Sequence, residues 1–288
     1  MIIGGDKKAV IENIKKYANE GELNHKVELG DPSLSDEESD RVIENFYVMR
    51  QKKVSFFFKS LKARIMSKTF ERKMDKSIEV LGIEKLKALK GGVIITSNHF
   101  NPLDSFCPRK VTRKAFGKVP YIVVQDTNLA MPELLGYLFN HLDMIPIKKS
   151  PNYILKRFMP EMKRLLNKGE CVLIYPEEEM WFNYRKPRPC KRGTYMFAAQ
   201  AGVPVVPVFV EMIDMDEPDN DQFNQVRYVV HVLDPIFPEI DKSERENSKR
   251  MAEQDYAEKK AAYESAYGKK LDYEFSYSDI AGWRGKKN

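Results

Sequence analysis

Short apolar segments alternating with helical stretches predict an α/β fold, a mainly parallel mixed sheet flanked by helices, with a basic amphipathic helical segment ahead of it. Three observations lead there. Candidate strands, rich in β-branched or aromatic residues, recur at 93–97, 121–125, 144–148, 171–175, 203–210 and 226–233. Helical stretches at 102–116, 128–141, 151–168 and 191–201 fill the gaps with the lengths that crossovers between parallel strands require. A composition of 42% hydrophobic and 31% charged residues over 288 positions is that of a globular chain, long enough for one large domain with helical additions.

Taken in order, residues 1–40 read as an N-terminal extension of mixed charge that ends in an acidic, linker-like stretch, GDPSLSDEESD (30–40). Residues 41–78 read as a basic helical segment. Ten Lys and Arg, from Arg41 to Lys73, face only Glu44, Glu71 and Asp75. Within it Val54, Phe57, Phe58, Leu61, Ile65 and Met66 recur at three- and four-residue spacing, as one stripe of a helix. Such a helix suits docking on a membrane surface. The same stripe also suits packing against a core with its charges in water, and spacing alone does not choose. The α/β domain is expected over 79–240, and 241–288 as a charged helix (245–267) with an irregular tail.

The net charge of +6 is compatible with nucleic acid, anionic lipid or phosphorylated substrates. No recognisable nucleic-acid module accompanies it, so no nucleic-acid partner is expected. Cys107, Cys171 and Cys190 are odd in number and lack a CxxC spacing, and Cys171 sits in an apolar strand. Reduced thiols and a cytosolic-side location follow as expectations. The N-terminus lacks the basic-then-apolar pattern of a secretory signal. The longest uncharged stretch, 193–210, contains Gly193, Gln200, Gly202, Pro204 and Pro207, and reads as a helix end, a turn and a strand rather than a membrane span.

The most informative stretch is VIITSNHFNPLDS (93–105). A strand ends at Ser97–Asn98 and delivers His99 at its carboxyl edge, where sheets of this kind carry their chemistry. Asn101 followed by Pro102 is a favourable helix start, and it would place Asp104 in the first turn, able to reach back to His99. A histidine held by a carboxylate is suited to general-base catalysis. If it activates the hydroxyl of a substrate, no serine or cysteine nucleophile is needed. The competing reading makes Asn101 and Asp104 a capping pair and His99 a satisfied core residue. No HxxH, HxH or HExxH spacing occurs, so no metal site is expected.

NHFNPLD resembles the first motif, NHxxxxD, of the glycerolipid acyltransferases, the family that includes 1-acylglycerol-3-phosphate acyltransferases. MIPIKKS (144–150), VLIYPEEEM (172–180) and VPVVPVFV (203–210) resemble its second, third (FPEGTRS) and fourth blocks, in the family's order. The resemblance implies that His99 is the general base, that Asp104 orients it, and that the acceptor oxygen attacks an acyl thioester directly. It implies that Glu177 and Lys149 bind the acceptor's glycerol-phosphate end, and that Pro207 shapes the pocket. The implied co-substrate is an acyl thioester of coenzyme A or acyl carrier protein, with no bound cofactor. The implied acceptor is a lysophospholipid, and the implied place is peripheral, on an anionic cytoplasmic membrane face.

The chain departs from the pattern in its third block, where Glu178, Glu179 and Met180 replace Gly-Thr-Arg. Cations follow in WFNYRKPRPCKRG, and Arg185 and Arg188 are the expected substitutes for the missing phosphate-binding arginine. A triple carboxylate at 177–179 would repel phosphate unless screened, so at least one of these glutamates is expected to point away. The altered block also suits a non-catalytic lipid-binding scaffold on the same fold, or a different hydroxylated lipid acceptor.

Overall fold

Seven segments pair into one sheet: β1 (Ile78–Leu81), β2 (Val93–Ser97), β3 (Tyr121–Gln125), β4 (Met144–Ile147), β5 (Cys171–Ile174), β6 (Val205–Pro218) and β7 (Asn224–Val232). In this computed structural model their order is β1-β7-β6-β2-β5-β3-β4. Residues 7–285 are described; 1–6, where the reading of the N-terminus begins, and 286–288 lie outside the described residues. Strands β6, β2, β5, β3 and β4 run parallel. The β6–β7 hairpin reverses direction, so β7 and its parallel partner β1 oppose the rest. Every residue of β2 and of β5 is buried, in keeping with their largely apolar sequences VIITS and CVLI and with strands covered on both faces.

The helices, in chain order, are α1 (Lys8–Asn19), α2 (Asp36–Gln51), α3 (Lys53–Asp75), α4 (Phe106–Phe116), α5 (Asp126–Leu129), α6 (Glu133–His141), α7 (Pro151–Tyr153), α8 (Met159–Asn167), α9 (Gly193–Ala201) and α10 (Glu244–Tyr267). A π-turn, Ile154–Phe158, joins α7 to α8. The mixed sheet flanked by helices is the architecture expected from the sequence.

Four local expectations need correction. The helix expected from residue 102 begins at Phe106, because Asn101 Oδ1 accepts from Leu103 N (3.0 Å) and forms a turn instead of a helix cap. The stretch 128–141 is split between α5 and α6 at Pro132, whose predecessor is driven out of helical geometry. Part of the acidic stretch 30–40 is helical: Ser35 and Glu38 form a capping box, and Asp36, Glu37 and Glu38 face the positive end of α2. Strand β1 was not anticipated, and β6 continues to Pro218 rather than stopping at 210.

Helix α3 does not turn its apolar stripe towards the core. Its buried face is made of Ser60, Ala63 and Ser67. Val54, Phe57, Phe58, Leu61 and Ile65 point outward, with Phe57 and Phe58 61% and 63% exposed. Small residues admit close helix packing, so the large apolar side chains are left on the surface.

The main core lies between the sheet and its helices. A second cluster joins segments far apart in sequence: Val10, Ile11 and Ile14 of α1, Trp181, Phe182 and Tyr184 after β5, and Ile280 near the C-terminus. Both ends of the described chain therefore pack onto the loop that follows β5.

Candidate active site

The carboxyl ends of neighbouring strands β2 and β5 build the site. Just beyond β2, the buried Asn98 side chain is clamped to β6. Its Nδ2 donates to Val210 O (3.1 Å) and its Oδ1 accepts from Val210 N (2.8 Å). This fixes the main chain that presents His99. The loop after β5 supports the same stretch: Trp181 N donates to His99 O (3.1 Å) and Asn183 N to Phe100 O (2.7 Å).

His99 Nδ1 lies 2.7 Å from Asp104 Oδ2. A carboxylate only accepts, so Nδ1 carries a proton, and in the neutral ring Nε2 keeps its lone pair. The imidazole is 22% exposed, which leaves it reachable, whereas Asp104 is buried. Asp104 Oδ2 also accepts from Phe100 N (2.9 Å) and Asn101 N (3.2 Å). These main-chain donors hold the carboxylate under the ring from a turn rather than from a helix.

Tyr175 closes the other side. Its hydroxyl donates to Asp104 Oδ1 (2.6 Å), and its ring stacks on His99 with centroids 4.0 Å apart and planes at 19°. Burial, reinforced by the adjacent Asp104, pushes the Tyr175 phenol well above its ordinary pKa, so it stays protonated and donates. Burial, with a contribution from Asp104, likewise keeps the Cys107 thiol neutral, which removes it as a nucleophile.

The sequence-predicted binding residues are placed differently from one another. Glu177 lies at the site but is fully buried and occupied. Its Oε2 accepts from His99 N (3.2 Å) and from Arg188 Nε and Nη2 (3.1 and 2.8 Å), and its Oε1 from Arg188 N (2.9 Å). Arg188 also donates to Leu23 O (3.1 Å) and Glu179 O, and lies over the Trp181 ring. Arg185 is buried and turned elsewhere, donating to Asp214 Oδ1 (2.5 Å), Ser278 O (3.1 Å) and Met212 O. Neither guanidinium can grip a substrate phosphate without abandoning these partners.

Lys149 is exposed. It follows β4, the edge strand three places from β2, a lateral distance of roughly 14 Å at about 4.8 Å per strand. Pro207 stands in β6 opposite Thr96 of β2, below the site. Sequence reasoning missed Asn98 and Tyr175, although both lie inside the quoted blocks. The signal for Tyr175 was a hydroxyl where the third block usually has phenylalanine.

Residues 77–211, which contain His99, Asp104 and Glu177, match the Acyltransferase family model. A 134-residue segment is 28% identical to the chloroplastic 1-acyl-sn-glycerol-3-phosphate acyltransferase BAT2 of Brassica napus, covering 45% of this chain and 36% of that protein. A 167-residue segment is 25% identical to an uncharacterized acyltransferase of Schizosaccharomyces pombe, covering 57% of each. The chain thus spans only about a third to a little over half of the curated relatives it matches. The crystal structure of PlsC, the 1-acyl-sn-glycerophosphate acyltransferase from Thermotoga maritima, shares the fold with a TM-score of 0.50 at 18% identity, covering 81% of this chain and 90% of that one. Over residues 77–211 the chain carries an acyltransferase-family domain, its motif residues gathered at the ends of β2 and β5.

Proposed function

We propose that the protein moves a fatty acyl group from a thioester, carried by coenzyme A or acyl carrier protein, to the hydroxyl of a lysophospholipid such as 1-acylglycerol-3-phosphate. The observation that carries this reading is His99, whose Nδ1 is held by Asp104 while the ring remains accessible. Nε2 takes the acceptor's hydroxyl proton as the oxygen attacks the thioester carbonyl. Collapse of the tetrahedral adduct breaks the carbon–sulfur bond, and the imidazolium returns the proton to the departing thiolate. No acyl-enzyme is required.

The acceptor's phosphate falls to Lys149 in this reading, since Arg185 and Arg188 are engaged within the protein. Glu177 contributes by holding the His99 main chain and Arg188 rather than by touching the acceptor. The outward stripe and basic flanks of α3 support peripheral docking on the anionic, cytoplasmic face of a membrane, from which both lipids would enter. A non-catalytic scaffold has the altered third block in its favour, but it gives no role to an accessible base held by a buried carboxylate.

Thiol release from an acyl thioester with lysophosphatidic acid as acceptor, compared between wild type and His99→Ala, tests the proposal. Turnover that falls by about 10²–10⁴-fold in a folded variant supports it. Turnover unaffected by the substitution would overturn it.

A further inference from the structure

We propose that Tyr175 is a positioning residue of the catalytic base, its hydroxyl holding Asp104 and its ring bracing the His99 imidazole. The inference deepens the acyltransferase reading and rests on His99 acting as the base. Three observations carry it. The Tyr175 hydroxyl is, among the described residues, the only donor to Asp104 Oδ1, whereas Oδ2 receives His99 and two main-chain N–H groups. The ring lies nearly parallel to the imidazole at stacking distance, where its π face meets the charge that appears on His99 during proton transfer. The phenol is partly buried and stays protonated, so it cannot replace His99 as the base and acts only through Asp104 and the stack.

The consequence is a base whose strength and orientation are set from both sides. Asp104 holds the imidazole through Nδ1. The phenol withdraws part of the carboxylate's charge and pins the plane of the carboxyl group. Removing the hydroxyl returns that charge to the His99 contact, so protonation of His99 becomes easier and the acid limb of kcat/KM moves to higher pH. The other ionisable groups around this cluster stay in place. Cys107 and Arg109 of α4 act electrostatically on Tyr175, Tyr228 of β7 feels Asp104, Glu28 feels His99 at longer range while paired with Lys7, and Glu177 binds the His99 main chain.

The test compares wild type, Tyr175→Phe and His99→Ala by kcat, KM and pH profile, with an NMR titration of the His99 ring as a readout independent of turnover. Tyr175→Phe keeps the stack and deletes one oxygen. The expected result is a kcat about 10- to 100-fold lower, with KM for both substrates little changed. The acid limb and the His99 midpoint are expected to rise together. A profile and midpoint identical to wild type would overturn the inference, even if the variant melts earlier, because a purely structural hydroxyl affects stability and not titration. His99→Ala with wild-type turnover would instead overturn the underlying reading. Should Tyr175→Phe fold poorly, 3-fluorotyrosine at position 175 retains ring and hydroxyl while strengthening the donor. The midpoint should then move to lower pH, and an unmoved midpoint counts against the proposal.

Discussion

Glu178 occupies the position where the third block usually has glycine, and its backbone shows why glycine belongs there. Its φ is +65°, in the left-handed region, and its side chain is exposed. A non-glycine residue in that conformation costs about 1–2 kcal/mol. Glycine would give back part of the gain, about 0.4–1 kcal/mol, through its freedom in the unfolded chain. Glu178→Gly is therefore expected to stabilise the protein by about 0.5–1 kcal/mol, read as a higher urea midpoint at unchanged slope. A lower midpoint would mean that the carboxylate makes a compensating contact. The same block explains which site residues the sequence revealed. His99 and Asp104 are five positions apart, so their pairing is local and the motif carries it. The cations after Trp181 were visible as a cluster, but their partners were not. Arg185 is claimed by Met212, Asp214 and Ser278, and Arg188 by Glu177 and Leu23, through contacts that only the folded chain creates.

At the scale of elements, α3 shows what periodicity can and cannot say. A stripe at helical spacing identifies a helix and one of its faces, yet it says nothing about whether that face turns inward. The packing face is Ser60, Ala63 and Ser67, residues that a search for hydrophobic positions passes over. The strands are easier to recognise, because fully buried parallel strands are mostly apolar, whereas β1 is half-exposed and short and leaves little trace. The outward stripe gives a direct expectation. Replacing Phe57 and Phe58 with serine should leave the melting temperature nearly unchanged, since both rings are mostly exposed. Burying a phenylalanine in an apolar medium contributes about 1.5–3 kcal/mol, so the double variant should bind anionic vesicles at least about tenfold more weakly in co-sedimentation. Equal binding by both proteins would remove α3 from the docking surface.

Across the whole molecule, the two ends of the described chain close around the loop that supports His99. Helix α1 supplies Val10, Ile11 and Ile14 to the cluster containing Trp181 and Phe182. From the other end, Asn183 Nδ2 donates to Ala281 O (3.0 Å), and Arg185 N donates to Asp279 O (2.9 Å). The fully buried Asp279 carboxylate pairs with the buried Lys186 (2.8 Å) and accepts from Ser276 N (2.8 Å). None of this was legible beforehand: the tail looked irregular because its order comes from long-range partners rather than from periodicity. Asp279→Ala strands Lys186 with only the exposed Asp272 (3.2 Å) and the Glu274 carbonyl (2.7 Å). Breaking a buried pair in this way costs about 3–5 kcal/mol, whereas Asp279→Ala combined with Lys186→Met should recover part of that loss. Because Trp181 and Asn183 hold the His99 and Phe100 carbonyls, loosening the tail should also displace the base. A misplacement near 1 Å is enough to lower kcat about 100-fold. Measured well below the melting temperature of the variant, kcat should therefore fall along with stability. A lowered melting temperature at unchanged kcat would show that the tail only stabilises the fold and that the His99 loop holds its own geometry.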